Sequence, residues 1–337
     1  MIKNKLSRGR SQRRHSDLVG IDFAATATKV ARLKQQGETV TLVGIDLLPA
    51  VDFSAPSARV ELPRNMTSYY GCLSYTCPEA VIRMLNTPVA AETETLSDAK
   101  IQELLNVSSE YRVSARLIGR GKGRQDSSFL AAAIPQDDVE YMINMFPSGP
   151  PAPASLEVSG LAVITAFLHA RGRECAEEAV CLIEAGESMS TFAILNRGIV
   201  VLVGKMDFGS RMLRAKLAAD LGVDDELAQS ILKDRSINIS SSMTGLLAPI
   251  TKQISISKDF IERHQSCRIN KIYVSGGLSL LPSWTGELGE MLHTNIINWS
   301  PLENLQYGDD TVSSEIEAQS TRFAAAIGAA LGGIKNQ

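Results

Sequence analysis

The sequence is poor in aromatic residues, 5% of 337, so its core must rest on Ala, Leu, Ile and Val. Hydrophobic residues still make up 44%, enough for a large buried core, and the length allows two domains or one with an insertion. There is no excess of positive charge. The net charge of −3 gives no support for nucleic acid as a partner. There is no paired-cysteine pattern either. Cys72, Cys77, Cys175, Cys181 and Cys267 are scattered without Cys-x-x-Cys spacing. Cys72 and Cys77 lie five apart with no nearby His, so no zinc site is expected. An odd count without a secretory signal points to a reducing compartment. No apolar run approaches the roughly 20 residues of a membrane span. These absences together lead us to expect a soluble, cytoplasmic protein.

What is present is a duplication. Leu18 to Leu33 returns in altered form as Val180 to Leu195. Aligned, Asp22 meets Glu184, Ala24 meets Gly186, and Thr26 meets Ser188. Each copy reads as an apolar strand, an acidic residue, a turn of small residues and a second strand, followed by Gly37 or Gly198. Two such hairpins facing each other can hold a phosphate chain. Their turns supply backbone N–H groups and small hydroxyls (Thr26, Ser188), and the carboxylates reach a metal or a water. In that reading Asp22 and Glu184 hold Mg²⁺, and Lys29 neutralises phosphate charge. The alternative is that Asp22 only caps a turn and Lys29 is a solvated strand residue; the repeat at Glu184 favours the former.

Further along, Thr39 to Leu48 reads as a strand and Pro49 to Pro63 as a loop. Pro78 opens a pattern (Ala80, Val81, Met84, Leu85) that suggests a short helix. A small α+β unit follows, with a helix capped by Ser97, strands at Tyr111 to Ile118 and Phe129 to Ile134, and a helix at Asp137 to Phe146. Gly119 to Asp126 is a basic hairpin tip. Pro147 to Pro153 reads as a linker. The second half opens with three strands between Ala179 and Val203. Helices are expected at Arg211 to Leu221, Asp225 to Leu232 and Leu247 to Gln265. Lys271 to Ser275 reads as a buried strand ending in Gly276-Gly277, where bare backbone can approach a flat base. Gly209 precedes a helix whose N-terminus would point at the phosphates. Glu315 to Leu331 reads as one helix with an Ala/Gly face. At the start, Lys3, Lys5, Arg8, Arg10, Arg13 and Arg14 form a basic tail, solvated or touching an anionic membrane surface.

The order of these parts resembles the actin–hexokinase–Hsp70 superfamily of ATP-binding proteins. Within it the chain is similar to the PilM family of type IV pilus assembly proteins, relatives of the division protein FtsA. The resemblance rests on Val19-Gly-Ile-Asp22 with Lys29, Glu184-Ala-Gly186, Phe208-Gly209, Ser275-Gly-Gly-Leu-Ser-Leu-Leu-Pro282 and Ala326-Ile-Gly-Ala-Ala330. It implies an α/β, two-lobed actin-like fold with duplicated ribonuclease-H-like units. A basic tail (1–16) would precede lobe I (17–174), which carries an inserted subdomain at about 90–146. Lobe II (175–310) would be followed by a C-terminal helix (311–337) returning to lobe I. It further implies ATP and Mg²⁺ as cofactors, with Asp22, Thr26, Lys29, Glu184, Gly186, Ser188, Gly209, Gly276 and Gly277 at the nucleotide. The implied partners are the N-terminal peptide of a PilN-like single-pass membrane protein, other pilus platform proteins and a second copy of the chain, with no nucleic acid. The implied place is the cytoplasmic face of the inner membrane. The chain departs from the family where Ala24 replaces a usual glycine, where Ala25, Thr26 and Ala27 stand in place of a frequent run of serines, and where Glu184 replaces a usual Asp. Ala24 and Glu184 perturb the phosphate loops, so binding with little or no hydrolysis is expected. An active ATPase or kinase of this fold is the alternative, and a filament-forming FtsA-like protein is another. The latter family ends in an amphipathic membrane helix, whereas this chain stops at Lys335-Asn-Gln337.

Overall fold

The computed structural model describes residues 16–53, 55, 58–88, 95–120, 126–147, 150–234 and 239–335. The basic tail from Lys3 to Arg14 and most of the Gly119–Asp126 tip lie outside the described residues. The first half contains β1 (Asp17–Phe23), β2 (Thr28–Gln36), β3 (Thr39–Leu48), β4 (Tyr70–Tyr75), β5 (Val81–Thr87), α1 (Asp98–Leu105), β6 (Tyr111–Gly119), β7 (Ser127–Pro135), α2 (Gln136–Asn144), β8 (Ala152–Val158) and α3 (Ser159–Arg171). The second contains β9 (Ala179–Ala185), β10 (Ser190–Asn196), β11 (Ile199–Met206), α4 (Ser210–Leu221), α5 (Asp225–Lys233), α6 (Ser240–Gln265), β12 (Ile269–Ser275), α7 (Pro282–Leu292), β13 (Asn295–Asn298), α8 (Ser314–Ala318) and α9 (Ala324–Lys335). Among the described residues no helix is long and apolar enough to cross a membrane.

Two five-stranded sheets share one plan: β3-β2-β1-β4-β8 and β11-β10-β9-β12-β13. In each, an antiparallel three-strand meander is extended by parallel strands on the far side of its first strand. β1 and β9 are therefore central, and both read as near-continuous apolar runs, as strands buried on both faces do. α3 is apolar all round because it is buried all round. It lies against α9, and the pair joins the two sheets through one core that includes Leu33, Phe167, Leu182, Leu195 and Leu331. The approach is at backbone distance. A Cβ on Gly328 of α9 would lie 1.8 Å from the carbonyl oxygen of Ala162, and one on Gly20 of β1 would lie 1.9 Å from that of Ala326. This accounts for the Ala/Gly character of the last helix.

A separate three-stranded sheet, β5-β7-β6, carries α1 on one face. Ser97 caps α1 by accepting the N–H of Lys100.

Three expectations are corrected. Val81 to Leu85 is strand, not helix. Its apolar spacing suits either period, and pairing with β7 decides. The small sheet thus begins at Val81, ahead of the boundary expected near Ala90. Ala152 and Pro153 belong to β8, not to a linker; β8 is an edge strand, and the ladder is irregular opposite Pro153, where a missing N–H is tolerated. The helix expected from Glu315 to Leu331 is broken into α8, a 3-10 turn (Ser320–Phe323) and α9. The break lets the Thr321 carbonyl turn out to accept the N–H of Gly276.

The α3–α9 contact makes a direct stability prediction. Gly328→Ala drives a methyl into backbone and is expected to lower the thermal midpoint, with a loss of about 2 kcal/mol or more. Gly286→Ala, in α7 with open space around it, is expected to be neutral or slightly stabilising. Equal midpoints for the two variants would mean that the helices can part without penalty.

Candidate functional site: a cleft between two hairpins

Asp22 is the penultimate residue of β1, with neighbours set by strand register. It sits opposite Lys29 on antiparallel β2 and opposite Ser74 on parallel β4. Lys29 Nζ lies 3.2 Å from Asp22 Oδ2, with Asp22 3% and Lys29 8% exposed. Asp22 Oδ1 accepts from Ser74 Oγ at 2.7 Å and from Ser159 Oγ, at the start of α3, at 2.8 Å. One oxygen is thus filled by two hydroxyls and the other faces an ammonium. A buried pair of this kind is held together as much by the penalty for leaving either charge alone as by attraction.

Glu184 occupies the matching place on β9, opposite Ser275 of β12 and Thr191 of β10. Among the described residues its carboxylate makes no hydrogen bond. Burial, and then the nearby charge of Asp22, push its carboxyl up to about 7, with Lys29 pulling the other way. The two carboxylates therefore feel each other across the cleft, but their surroundings differ: Asp22 is solvated by the protein and Glu184 is not.

The turn after Glu184 is closed by the N–H of Gly186 donating to Met189. Its carbonyls then take the first N–H groups of α4: Ser210 donates to Gly186 O at 3.0 Å and Arg211 to Glu187 O at 2.9 Å. This corrects the expectation for Gly209. The N-terminus of α4 is spent on the hairpin turn and not aimed at a ligand. Gly209 lies behind the turn, where a Cβ would sit 2.1 Å from Glu187 O. Glu187 also holds Ser210 Oγ and Arg214, and Arg214 reaches Asp225.

The third wall is the end of β12. Gly276 has φ +85°, and a Cβ there would lie 2.4 Å from the carbonyl oxygen of Ala185. Gly277 has open space beside it. Of the nine expected site residues, eight border one cavity of about 770 Å³: Asp22, Thr26 and Lys29, Glu184, Gly186 and Ser188, and Gly276 and Gly277. That volume suits a drug-sized or nucleotide-sized ligand. The sequence reading missed Ser74 and Ser159, which fill Asp22, and Thr321 and Arg322, which enter from the 3-10 turn before α9. Ser74 is legible only from register, and Arg322 only once the last helix is seen to break.

Of the two carboxylates expected to hold Mg²⁺, only Glu184 is left without a partner among the described residues. That ion asks for near-octahedral oxygen ligands. Here the Lys29 ammonium already stands on Asp22 Oδ2, and both remaining contacts of the carboxylate are hydroxyl donors.

Comparisons with known proteins bear on this arrangement. Residues 116–334 match the family described as Type IV pilus assembly protein PilM. The chain belongs to the PilM family. A solved structure described as "PilM-PilN type IV pilus biogenesis complex" superposes with a TM-score of 0.79 at 17% identity, covering 96% of this chain and 99% of that one. An archaeal actin homolog covers 95% of this chain and 100% of its own at 12% identity and a TM-score of 0.45. The ethanolamine utilization protein EutJ from Carboxydothermus hydrogenoformans covers 93% and 88% at 14% identity and a TM-score of 0.44. Scores at that level carry no argument by themselves. A search of curated proteins found no significant match. The architecture of this PilM-family chain is that of the solved PilM, with a cleft between two hairpin-bearing sheets and a small α+β unit in the first half.

The environment of Glu184 gives a pH prediction. The folded chain holds its proton to about pH 7, whereas an ordinary glutamate releases it near 4.5. Stability contributed by the bound proton is full below about 4.5 and is lost as pH rises towards 7. Glu184→Gln is expected to be more stable than the parent at pH 8, by roughly 2–3 kcal/mol, and nearly equal to it at pH 5. Identical urea midpoints at pH 8 would show that the carboxylate is not held in an unfavourable place.

Proposed function

We propose that this protein is an actin-like, ATP-binding scaffold on the cytoplasmic face of the inner-membrane platform of a type IV pilus or related secretion system. In this reading it grips the N-terminal cytoplasmic tail of a single-pass, PilN-like membrane protein. The observation that carries the proposal is family membership, together with likeness over almost the whole chain to a PilM solved in complex with PilN. The cleft supports the nucleotide half of the reading, since two duplicated hairpins and the Gly276-Gly277 turn converge on one cavity.

The small sheet supports the partner half. Register places Ile82, Met84, Leu130, Ala132 and Ile134 on the face opposite α1, with Arg112, Ser114 and Arg116 along its edge strand. Met84 packs towards the α3–α9 core, and β5 lies against β11 of the second sheet, where Lys205 Nζ donates to the carbonyl of Ala80. Leu130 is half-buried there, while Arg112 and Arg116 are exposed. An extended tail lying along this surface would use backbone hydrogen bonds for affinity and alternate side chains for specificity. The cleft supports scaffolding over catalysis in one respect: Asp22 already accepts from three protein donors.

Two outcomes are expected. The tail of the PilN-like protein of the same cell, titrated as a synthetic peptide, should bind the full chain, and Leu130→Asp should weaken it about tenfold or more with ATP binding unchanged. Full peptide affinity in that variant would place the docking surface elsewhere. Steady-state assays should find no ATP turnover above background; turnover of several per second would favour the enzyme alternative.

A further inference from the structure

Lys29 and Arg322 both border the cavity, and their situations are complementary. Lys29 neutralises Asp22 from inside the protein and occupies one of its two carboxylate oxygens. Arg322 comes from the 3-10 turn that Thr321 ties to Gly276. Among the described residues Arg322 has no carboxylate partner, and its guanidinium donates to the side-chain amide oxygen of Gln319. Of the other cations bordering the cavity, Arg214 is already committed to Glu187 and Asp225, and Lys233 is exposed at the end of α5. The cavity is thus bordered by Asp22, which is internally neutralised, by Glu184, whose carboxyl has no hydrogen-bond partner among the described residues, and by Arg322, whose guanidinium has no carboxylate partner among them. A guanidinium in such a place is suited to bidentate hydrogen bonding with a phosphate or another planar anion.

We infer that the cleft takes its nucleotide as the metal-free anion, with Arg322 supplying positive charge that a divalent cation supplies elsewhere. The inference rests on the nucleotide reading of the cleft and adds to it the ionic form of the ligand and a residue, Arg322, that no motif marks. Physically, a magnesium ion brought in with ATP would meet the Lys29 ammonium at Asp22. Free ATP would instead bring its negative charge to Arg322. Magnesium in solution would then compete with the protein for ATP and lower the apparent affinity.

The test is calorimetric titration of ATP into the full chain, once in excess EDTA and once in excess magnesium at equal ionic strength. Binding in EDTA, with magnesium leaving it unchanged or weaker, is the expected result. Arg322→Gln is expected to weaken binding in EDTA by about tenfold to a hundredfold while the ligand-free thermal midpoint stays within error, because no internal ion pair is broken. Arg322→Lys should recover part of the loss. Binding seen only with magnesium, or tightened by it tenfold or more, would overturn the inference and leave the nucleotide reading standing. Unchanged affinity in Arg322→Gln would overturn the role given to that residue. An absence of heat and of any thermal shift in both buffers would remove the nucleotide reading and this inference with it.

Discussion

The backbone-to-backbone approach of α3 and α9 is the constraint on which the molecule depends. These helices stand between the two sheets, and their separation sets how far apart the hairpins lie. Gly328 facing the Ala162 carbonyl and Gly20 facing the Ala326 carbonyl remove the side chains that would hold them apart. Close packing of this kind gives many small dispersion contacts and leaves little freedom for the sheets to slide. The Ala/Gly run at the end of the chain is therefore an architectural element: it brings the cleft walls to within reach of one ligand.

The electrostatics of the cleft follow from that geometry. Ser159 begins α3, so the helix that fixes the sheets also delivers a hydroxyl to Asp22. The turn preceding α9 delivers Thr321 to Gly276 and leaves Arg322 at the cavity. The two hairpins are copies in sequence, yet they differ in charge state. Asp22 has three donors, whereas Glu184 has none among the described residues and bears the penalty of burial. A duplicated motif has thus become asymmetric. One copy holds a neutralised ion pair, and the other a carboxyl that is easily protonated.

Much of this was legible in the sequence, and what was not has particular causes. The hairpins were readable because Asp22 and Glu184 recur in matching frames with small residues after them. The Gly276-Gly277 turn was readable because only glycine suits a positive φ pressed against Ala185. β4 and β13 gave no signal: one is a six-residue strand containing a buried serine, and the other has only four residues. β5 was misread because its apolar spacing fits a helix as well as a strand, and β8 because Pro153 looks like a breaker until its edge position is known. Gly209 was placed correctly in the chain and wrongly in the chemistry. A helix start looks like an anion site until another segment's carbonyls are found on its N–H groups.

The sequence by itself determined the duplication, the identity of the two acidic residues, the small-residue final helix and hence the family. These are local patterns, and each is written in adjacent or periodic residues. Tertiary structure alone decided which charges meet. Ser74 and Ser159 reach Asp22 from 52 and 137 positions away, and Arg322 enters the cleft from the far end of the chain. Such encounters depend on strand order and on where a helix breaks. Strand order is set by how whole sheets bury their faces against α3 and α9, and no single segment carries that information.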